Sequence, residues 1–327
     1  MLAALASVLL AAAPGTPAGA SPEPLGIALE NASYPYPVKF LPVSVDGQDL
    51  RFAYMDVLPS GPPNGKSVLL LHGKNFGGAY WAGTIEALSA AGFRVVVPDQ
   101  IGFGKSAKAD VHYTFEFLAE NTRRLLDALV IPATAVVGHS MGGMLAVRFA
   151  LLYPDRTTAL VLENPIGLED YREKVPYASL DATYRAMLAP TRDGLDRFYR
   201  SYFARWKEEY GRFAEDAWRQ TLGGEWPRAA RASALTYEMI YTQPVVQDLP
   251  RLRVPTLLVI GQADRTTLGR GSLPKEVLDT LGRYPELGKR AASVIPGAKL
   301  VEIEEVGHIP HLEAPDRFHA ALLDFLR

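Results

Sequence analysis

Ala135-Val136-Val137-Gly138-His139-Ser140-Met141-Gly142-Gly143 is the stretch from which this 327-residue chain is best read. A short apolar strand runs into Gly-x-Ser-x-Gly, and an apolar helical pattern follows from Met141 to Tyr153. A serine on so sharp a strand-to-helix turn takes a strained backbone conformation that crowds the positions on either side. Glycines at 138 and 142, with Gly143 beside them, relieve that crowding. The helix starting at the next residue aims the positive end of its dipole at the space over the hydroxyl. Five residues of this kind occur by accident in many chains, and it is the strand–turn–helix setting that makes them specific.

Outward from this turn, short apolar runs recur at Val68 to Leu71, Val95 to Val97, Leu160 to Leu162 and Leu257 to Ile260, with a weaker one at Leu300 to Ile303. Continuous runs of this length fit strands buried on both faces of a parallel sheet. Helix-length patterns lie among them at Tyr80 to Ala91, Thr114 to Leu129, Met141 to Tyr153 and Pro315 to Leu326. Strand alternating with helix predicts an α/β layer fold. Val38 to Val45 and Arg51 to Asp56 alternate more openly and read as antiparallel strands at the start. Between Ile166 and Val246 the alternation stops. Phe198, Tyr202, Trp206, Tyr210 and Phe213 recur at three- and four-residue steps, which predicts one helical aromatic stripe. Eighty helical residues between two sheet strands predict a cap over the strand ends. The expected organisation is a core from 38–165 and 248–327, with a helical cap from 166–247.

Composition narrows the function classes. With 48% hydrophobic and 21% charged residues and a net charge of −2, the chain can bury a large core and lacks the basic excess of a nucleic-acid binder. It has no Cys, which removes disulfides, thiolate metal sites and cysteine nucleophiles. Leu2 to Ala13 is an apolar run too short to span a bilayer, and Ala18-Gly19-Ala20 offers small residues for cleavage. Residues 1–20 are therefore expected to be a signal peptide, although the first basic residue is Lys39, and the protein is expected to be exported without stable membrane insertion. Residues 21–37 read as a loose leader. Asn31-Ala32-Ser33 matches a glycosylation sequon but carries little weight.

A serine hydroxyl needs a base, and the base an orienting acid. Of the six His, His308 follows Gly307 just after the last strand, where ligands bind in open α/β sheets, and is the expected base. His311 suits a supporting or pocket-rim role. His72 and His139 sit in tight turns, His112 in a loop and His319 in the final helix. Asp264, in the turn after Leu257 to Gly261, is the expected acid, with Glu163 at another strand end as its competitor. The order Ser140, Asp264, His308 is the Ser…Asp…His order that goes with this turn. Gly104-Lys105-Ser106 imitates a phosphate loop, but Asp99 stands where the first glycine is required, so the loop reads as structural.

Taken together, Leu71-His72-Gly73, Pro98 to Ser106, Gly138 to Gly143, Gly261 to Asp264 and Gly307-His308 resemble the α/β-hydrolase family over nearly all of 38–327. The resemblance implies an eight-stranded, mostly parallel sheet flanked by helices, with the cap inserted after the sixth strand. It also implies an oxyanion hole made by the backbone N–H of Met141 and of Lys74. Its expected chemistry is hydrolysis of a small carboxylic ester or lactone through an acyl-enzyme on Ser140, without metal or organic cofactor. The same triad serves carbon–carbon bond hydrolases of ring-cleavage diketones and perhydrolases. The former often carry Asn before the serine and Trp after the base, where this chain has His139 and Ile309. A ligand-binding protein that keeps the fold without turnover is the reading from another class. The expected partner is a small-molecule substrate.

Overall fold

A computed structural model describes residues 22–327. The signal-peptide expectation for residues 1–20 lies outside the described residues. The sheet has eight strands in the order β1-β2-β4-β3-β5-β6-β7-β8. They are β1 (Val38–Val45), β2 (Gln48–Val57), β3 (Ser67–Leu71), β4 (Arg94–Pro98), β5 (Thr134–His139), β6 (Thr157–Glu163), β7 (Thr256–Gly261) and β8 (Lys299–Ile303). β1 and β2 are antiparallel, and β2 joins β4 antiparallel; every pairing from β4 through β3 to β8 is parallel. The mostly parallel eight-stranded α/β architecture is therefore the one expected.

Period-two alternation decides what each face carries. Leu69, Leu71, Val96, Val136, Leu160, Leu162, Leu258 and Ile260 belong to one buried cluster. Val68, Leu70, Val95, Val97, Val137, Val161, Leu257 and Val259 belong to the other. Because both sets are apolar, both faces need helices. On the first face lie α2 (Phe115–Ala128) and α3 (Met141–Leu152), and on the second α1 (Ala82–Ala90). α2 shows the local logic. Thr114 caps it by accepting from Phe117 N–H, its Leu118, Leu125 and Leu126 are buried, and its outer side carries the Glu120–Arg123 pair. The patterned stretch at Tyr80 begins with a 3₁₀ turn at Gly78–Trp81 before α1 takes over.

Between β6 and β7 the chain leaves the sheet and forms α4 (Leu180–Leu188), α5 (Arg192–Arg200), α6 (Gly211–Thr221) and α7 (Trp226–Thr242). After β7 come α8 (Lys275–Leu278) and α9 (Tyr284–Val294); after β8 come α10 (Pro310–Glu313) and α11 (Pro315–Leu326). α9 packs on the first face and α11 on the second. The aromatic run does not form one helix. α5 ends at Arg200, a turn carries residues 201–207, and α6 starts at Gly211. Breaking the helix lets Phe203 stack on Tyr210 at 4.0 Å while Tyr202 turns toward the sheet. Nor is the leader loose. Leu25 is fully buried and its N–H donates to Arg219 O, Arg219 donates to Glu23 O, and the Tyr34 hydroxyl donates to Asp99. An apolar side chain and backbone groups that find partners on α6 anchor a segment whose composition alone suggests slack.

Candidate active site

The chain leaves β3 toward β4 on one side and leaves the adjacent β5 toward β6 on the other, so the connections diverge and a crevice opens at the ends of these two strands. Ser140 follows β5 and opens α3 with φ 56° and ψ −121°, a left-handed backbone that a serine holds only when its surroundings impose it. They do. A Cβ on Gly138 would lie 2.2 Å from Gly142 O, and one on Gly142 would lie 2.2 Å from Leu71 O. Only glycines let the turn close against β3.

Parallel register then aligns the other strand ends, with His139 opposite Glu163 and Gly261 opposite Ile303. From them the structure brings three expected residues together. Ser140 Oγ lies 2.9 Å from His308 Nε2, and His308 Nδ1 lies 2.7 Å from Asp264 Oδ2. All three are buried. Asp264 also accepts from Asn164 Nδ2 at 2.8 Å and from Thr266 N–H at 2.8 Å, while Asn164 Oδ1 takes Gly261 N–H. With its other lone pairs held, the carboxylate has one orientation left for the imidazole.

Glu163 is committed elsewhere. It accepts from His311 Nδ1–H at 2.9 Å and from His311 N–H at 2.7 Å, and the His311 ring stacks on Trp81 at 4.1 Å. This second buried acid–imidazole pair leaves Glu163 no bond to His308 among the described residues. His72 Nε2 accepts from Gln100 N–H, so His72 braces the turn after β3. His319 bonds Thr84, and His112 is exposed. His139 has a fuller role. Its Nδ1 lies 2.8 Å from Tyr80 Oη, which accepts from Gly73 N–H at 3.0 Å, and its Nε2 lies 2.8 Å from His308 O. Burial, then the neighbouring His308 and His311, hold the His139 imidazole well below its ordinary range, so it stays neutral.

The expected phosphate-loop imitation is structural. Asp99 accepts from Gly78 N–H, Lys105 N–H and Tyr34 Oη, so the loop's backbone donors face an internal carboxylate. The expected oxyanion residues border Ser140. A Cβ on Gly73 would come within 3.1 Å of Ser140 Cβ, which places Lys74 one residue away, and Met141 opens α3. Neither amide has a hydrogen-bond partner among the described residues.

Cap contacts close over this group. Tyr202 stacks on the His308 ring at 5.1 Å, and Tyr202 O accepts from His308 N–H. Asn75 donates to Tyr202 Oη at 2.7 Å, and the Tyr199 hydroxyl donates to Asn75 O at 2.9 Å. Glu313 accepts from the N–H groups of Ala204, Arg205 and Gly307. A cavity of about 630 Å³ lies between the cap helices, the 74–82 and 102–108 loops and the leader at Leu29 to Pro35. Lys74 lines it and Ser140 does not. The expected pocket between cap and sheet is thus displaced toward the leader, because Tyr202 and Asn75 occupy the ground beside His308. The roles of Asn164, Tyr80 and Glu313 escape the sequence reading, and Tyr202 enters it only as a member of the aromatic stripe. Asn164 could have been found as a polar residue next to Glu163 at a strand end.

Residues 66–315 match the family model for the alpha/beta hydrolase fold. The chain belongs to that family. A structure described as a probable hydrolytic enzyme from Pseudomonas aeruginosa PAO1 is 46% identical, with a TM-score of 0.91, over 93% of this chain and 99% of that one. A 2-hydroxy-6-oxononadienedioate/2-hydroxy-6-oxononatrienedioate hydrolase of Burkholderia vietnamiensis is 28% identical over 88% of this chain and 95% of its own length. Lipase 1 of Psychrobacter immobilis is 27% identical over 79% and 75%. These relatives carry the names of hydrolytic enzymes, another is named a putative non-heme chloroperoxidase, and the names together span more than one chemistry.

Proposed function

We propose that the protein is a serine hydrolase that cleaves a carboxylic ester or lactone through an acyl-enzyme. The observation that carries the reading is the line of hydrogen bonds from Ser140 Oγ to His308 Nε2 at 2.9 Å and from His308 Nδ1 to Asp264 Oδ2 at 2.7 Å. Ser140 Oγ attacks the carbonyl carbon while His308 Nε2 takes its proton. The N–H groups of Lys74 and Met141 donate to the oxyanion, where each such donor is worth about 2.7–4 kcal/mol. Collapse expels the alcohol, which receives the proton from His308. Water, deprotonated by the same imidazole, then releases the acid and restores Ser140. Asp264 holds the tautomer and stabilises the imidazolium. The carbon–carbon bond reading draws on the named relative, and His139 and Ile309 stand against it.

The test is labelling by a fluorophosphonate together with an ester screen. Wild-type protein should be labelled at Ser140 and should turn over p-nitrophenyl butyrate. Ser140→Ala should lose both, with the rate down by several orders of magnitude as in other serine triads. A variant that keeps more than about a tenth of the wild-type rate refutes Ser140 as nucleophile. A wild type that neither labels nor turns over is a ligand-binding protein of this fold.

A further inference from the structure

Lys74 brings a cation to an unusual place. Its backbone follows Gly73 beside Ser140, and its side chain reaches the 630 Å³ cavity and ends on α7 of the cap, where Nζ donates to Ser233 O at 3.0 Å and Ser233 Oγ at 2.8 Å. Both partners are neutral. No carboxylate among the described residues pairs with this ammonium, although most cationic side chains of the protein that make contacts do find one. Burial alone lowers Lys74 to about 7. Among the charged residues that line the cavity are Lys108 and Arg212, against a single carboxylate, Asp216. Lys108 Nζ is likewise spent on backbone oxygens, those of Gly104 and Ser106. The rest of the wall includes Phe76, Phe103, Phe198 and Phe213. An apolar chamber with a cationic excess, and an ammonium that has no carboxylate partner among the described residues on a side chain rooted beside the nucleophile turn, suits an organic anion.

We propose that the substrate carries a carboxylate, held by Lys74 Nζ in this cavity within one lysine side chain's length of the carbonyl that Ser140 attacks. The proposal rests on the serine-hydrolase reading above and names its substrate class. A carboxylate supplies the counter-charge that Lys74 lacks, and an ion pair formed on binding in an apolar chamber is stronger than one in water. The apolar wall takes the carbon skeleton that joins the carboxylate to the ester.

The experiment compares kcat/KM for three esters: neutral p-nitrophenyl butyrate, mono-p-nitrophenyl glutarate with the carboxylate on the acyl side, and 4-butyryloxybenzoate with it on the leaving side. The wild type should prefer one of the anionic esters to the neutral one by at least tenfold. That ratio should collapse at least tenfold in Lys74→Met and in Lys74→Gln, the second keeping a donor for Ser233 without the charge. The neutral ester, measured on the same preparations, corrects the ratio for any general loss of catalytic power. Turnover of all three esters with no anionic preference, or with a preference that survives both substitutions, overturns the carboxylate proposal and leaves the serine reading standing. Absence of any turnover together with absence of fluorophosphonate labelling at Ser140 overturns the serine reading and the proposal with it.

Discussion

His139 Nε2 lies 2.8 Å from the main-chain oxygen of His308, so the residue before the nucleophile is bonded to the backbone of the residue that faces it. The neutral His139 donates there from Nε2 and accepts at Nδ1 from the Tyr80 hydroxyl, which itself accepts from Gly73 N–H. One buried hydroxyl thus links the turn before Lys74, the nucleophile turn and the His308 loop. Tyr80→Phe leaves Gly73 N–H and His139 Nδ1 without partners, at about 1–3 kcal/mol for each unsatisfied buried group. The expected result on p-nitrophenyl butyrate is a fall in kcat of about tenfold to a hundredfold with KM little changed. A variant with wild-type kcat and lowered thermal stability would make the hydroxyl a packing feature only.

Two carboxylates end neighbouring strands and each holds a different imidazole. Asp264 faces His308 and Glu163 faces His311. Replacing an orienting Asp by Asn favours the wrong tautomer and costs about 10⁴ in rate in a serine protease. Asp264→Asn is expected to lose turnover on that scale while remaining folded. Glu163→Gln weakens a buried pair with His311 and leaves the main-chain bond from Ser140 N–H to residue 163 in place, so it should lower the melting temperature and change kcat less than about tenfold. Measuring both variants at pH 7 on one ester decides the matter, and a crippled Glu163→Gln beside an active Asp264→Asn reverses the assignment.

What the sequence made legible follows the range of the interactions. The turn at Ser140 is compact in sequence: a Cβ at 138 would meet Gly142 O and one at 142 would meet Leu71 O on the adjacent strand, and both glycines fall within one pentapeptide. The sheet is nearly as legible, since both faces are buried and the strands read as unbroken apolar runs. Asn164 and Asp264, by contrast, are 100 residues apart and meet only through the β6–β7 register. Tyr202 lay in an apparent helical stripe, and its stacking on His308 depends on a break after α5 that no periodicity announces. Pro, Ser and Gly in the leader suggested slack, while one buried Leu25 and its bond to Arg219 O were enough to anchor it.

Lys74 also predicts a stability signature. Burial lowers its folded-state value to about 7, against about 10.4 for an unperturbed lysine. Between those values the unfolded chain holds a proton that the folded protein lacks, so folding stability rises with pH across that window. Below about 7 both states are protonated and the whole cost of the buried charge remains. Lys74→Met keeps the length of the side chain and removes the charge. Because Lys74 keeps part of its surface open, the gain at pH 6.5 is expected at roughly 1–2 kcal/mol, shrinking as pH rises toward 10. Urea unfolding of both proteins across that range measures it, and Lys108, present in both, cancels. A destabilised Lys74→Met with a pH-independent difference would mean that the bonds to Ser233 outweigh the desolvation.

The cap is fastened to the His308 loop at one crowded point. A Cβ on Gly307 would lie 2.5 Å from Tyr202 O and 2.7 Å from Ala204 N, and Glu313 gathers the N–H groups of Ala204, Arg205 and Gly307 around the same spot. Two backbones approach there as closely as glycine permits, which lets Tyr202 lie on the imidazole. Gly307→Ala must push residues 202–204 away, at about 1–3 kcal/mol for an overpacked contact. Glu313→Ala releases the same loop without a clash, so the two variants separate loosening from overpacking. Both are expected to lower kcat/KM for p-nitrophenyl butyrate by at least about tenfold, as misplacing supporting groups does. Both should also flatten the dependence of rate on acyl length, because the loosened cap no longer shapes the space beside His308. If neither variant changes the acyl-length profile, the contact of Tyr202 with His308 covers the site without selecting what enters it.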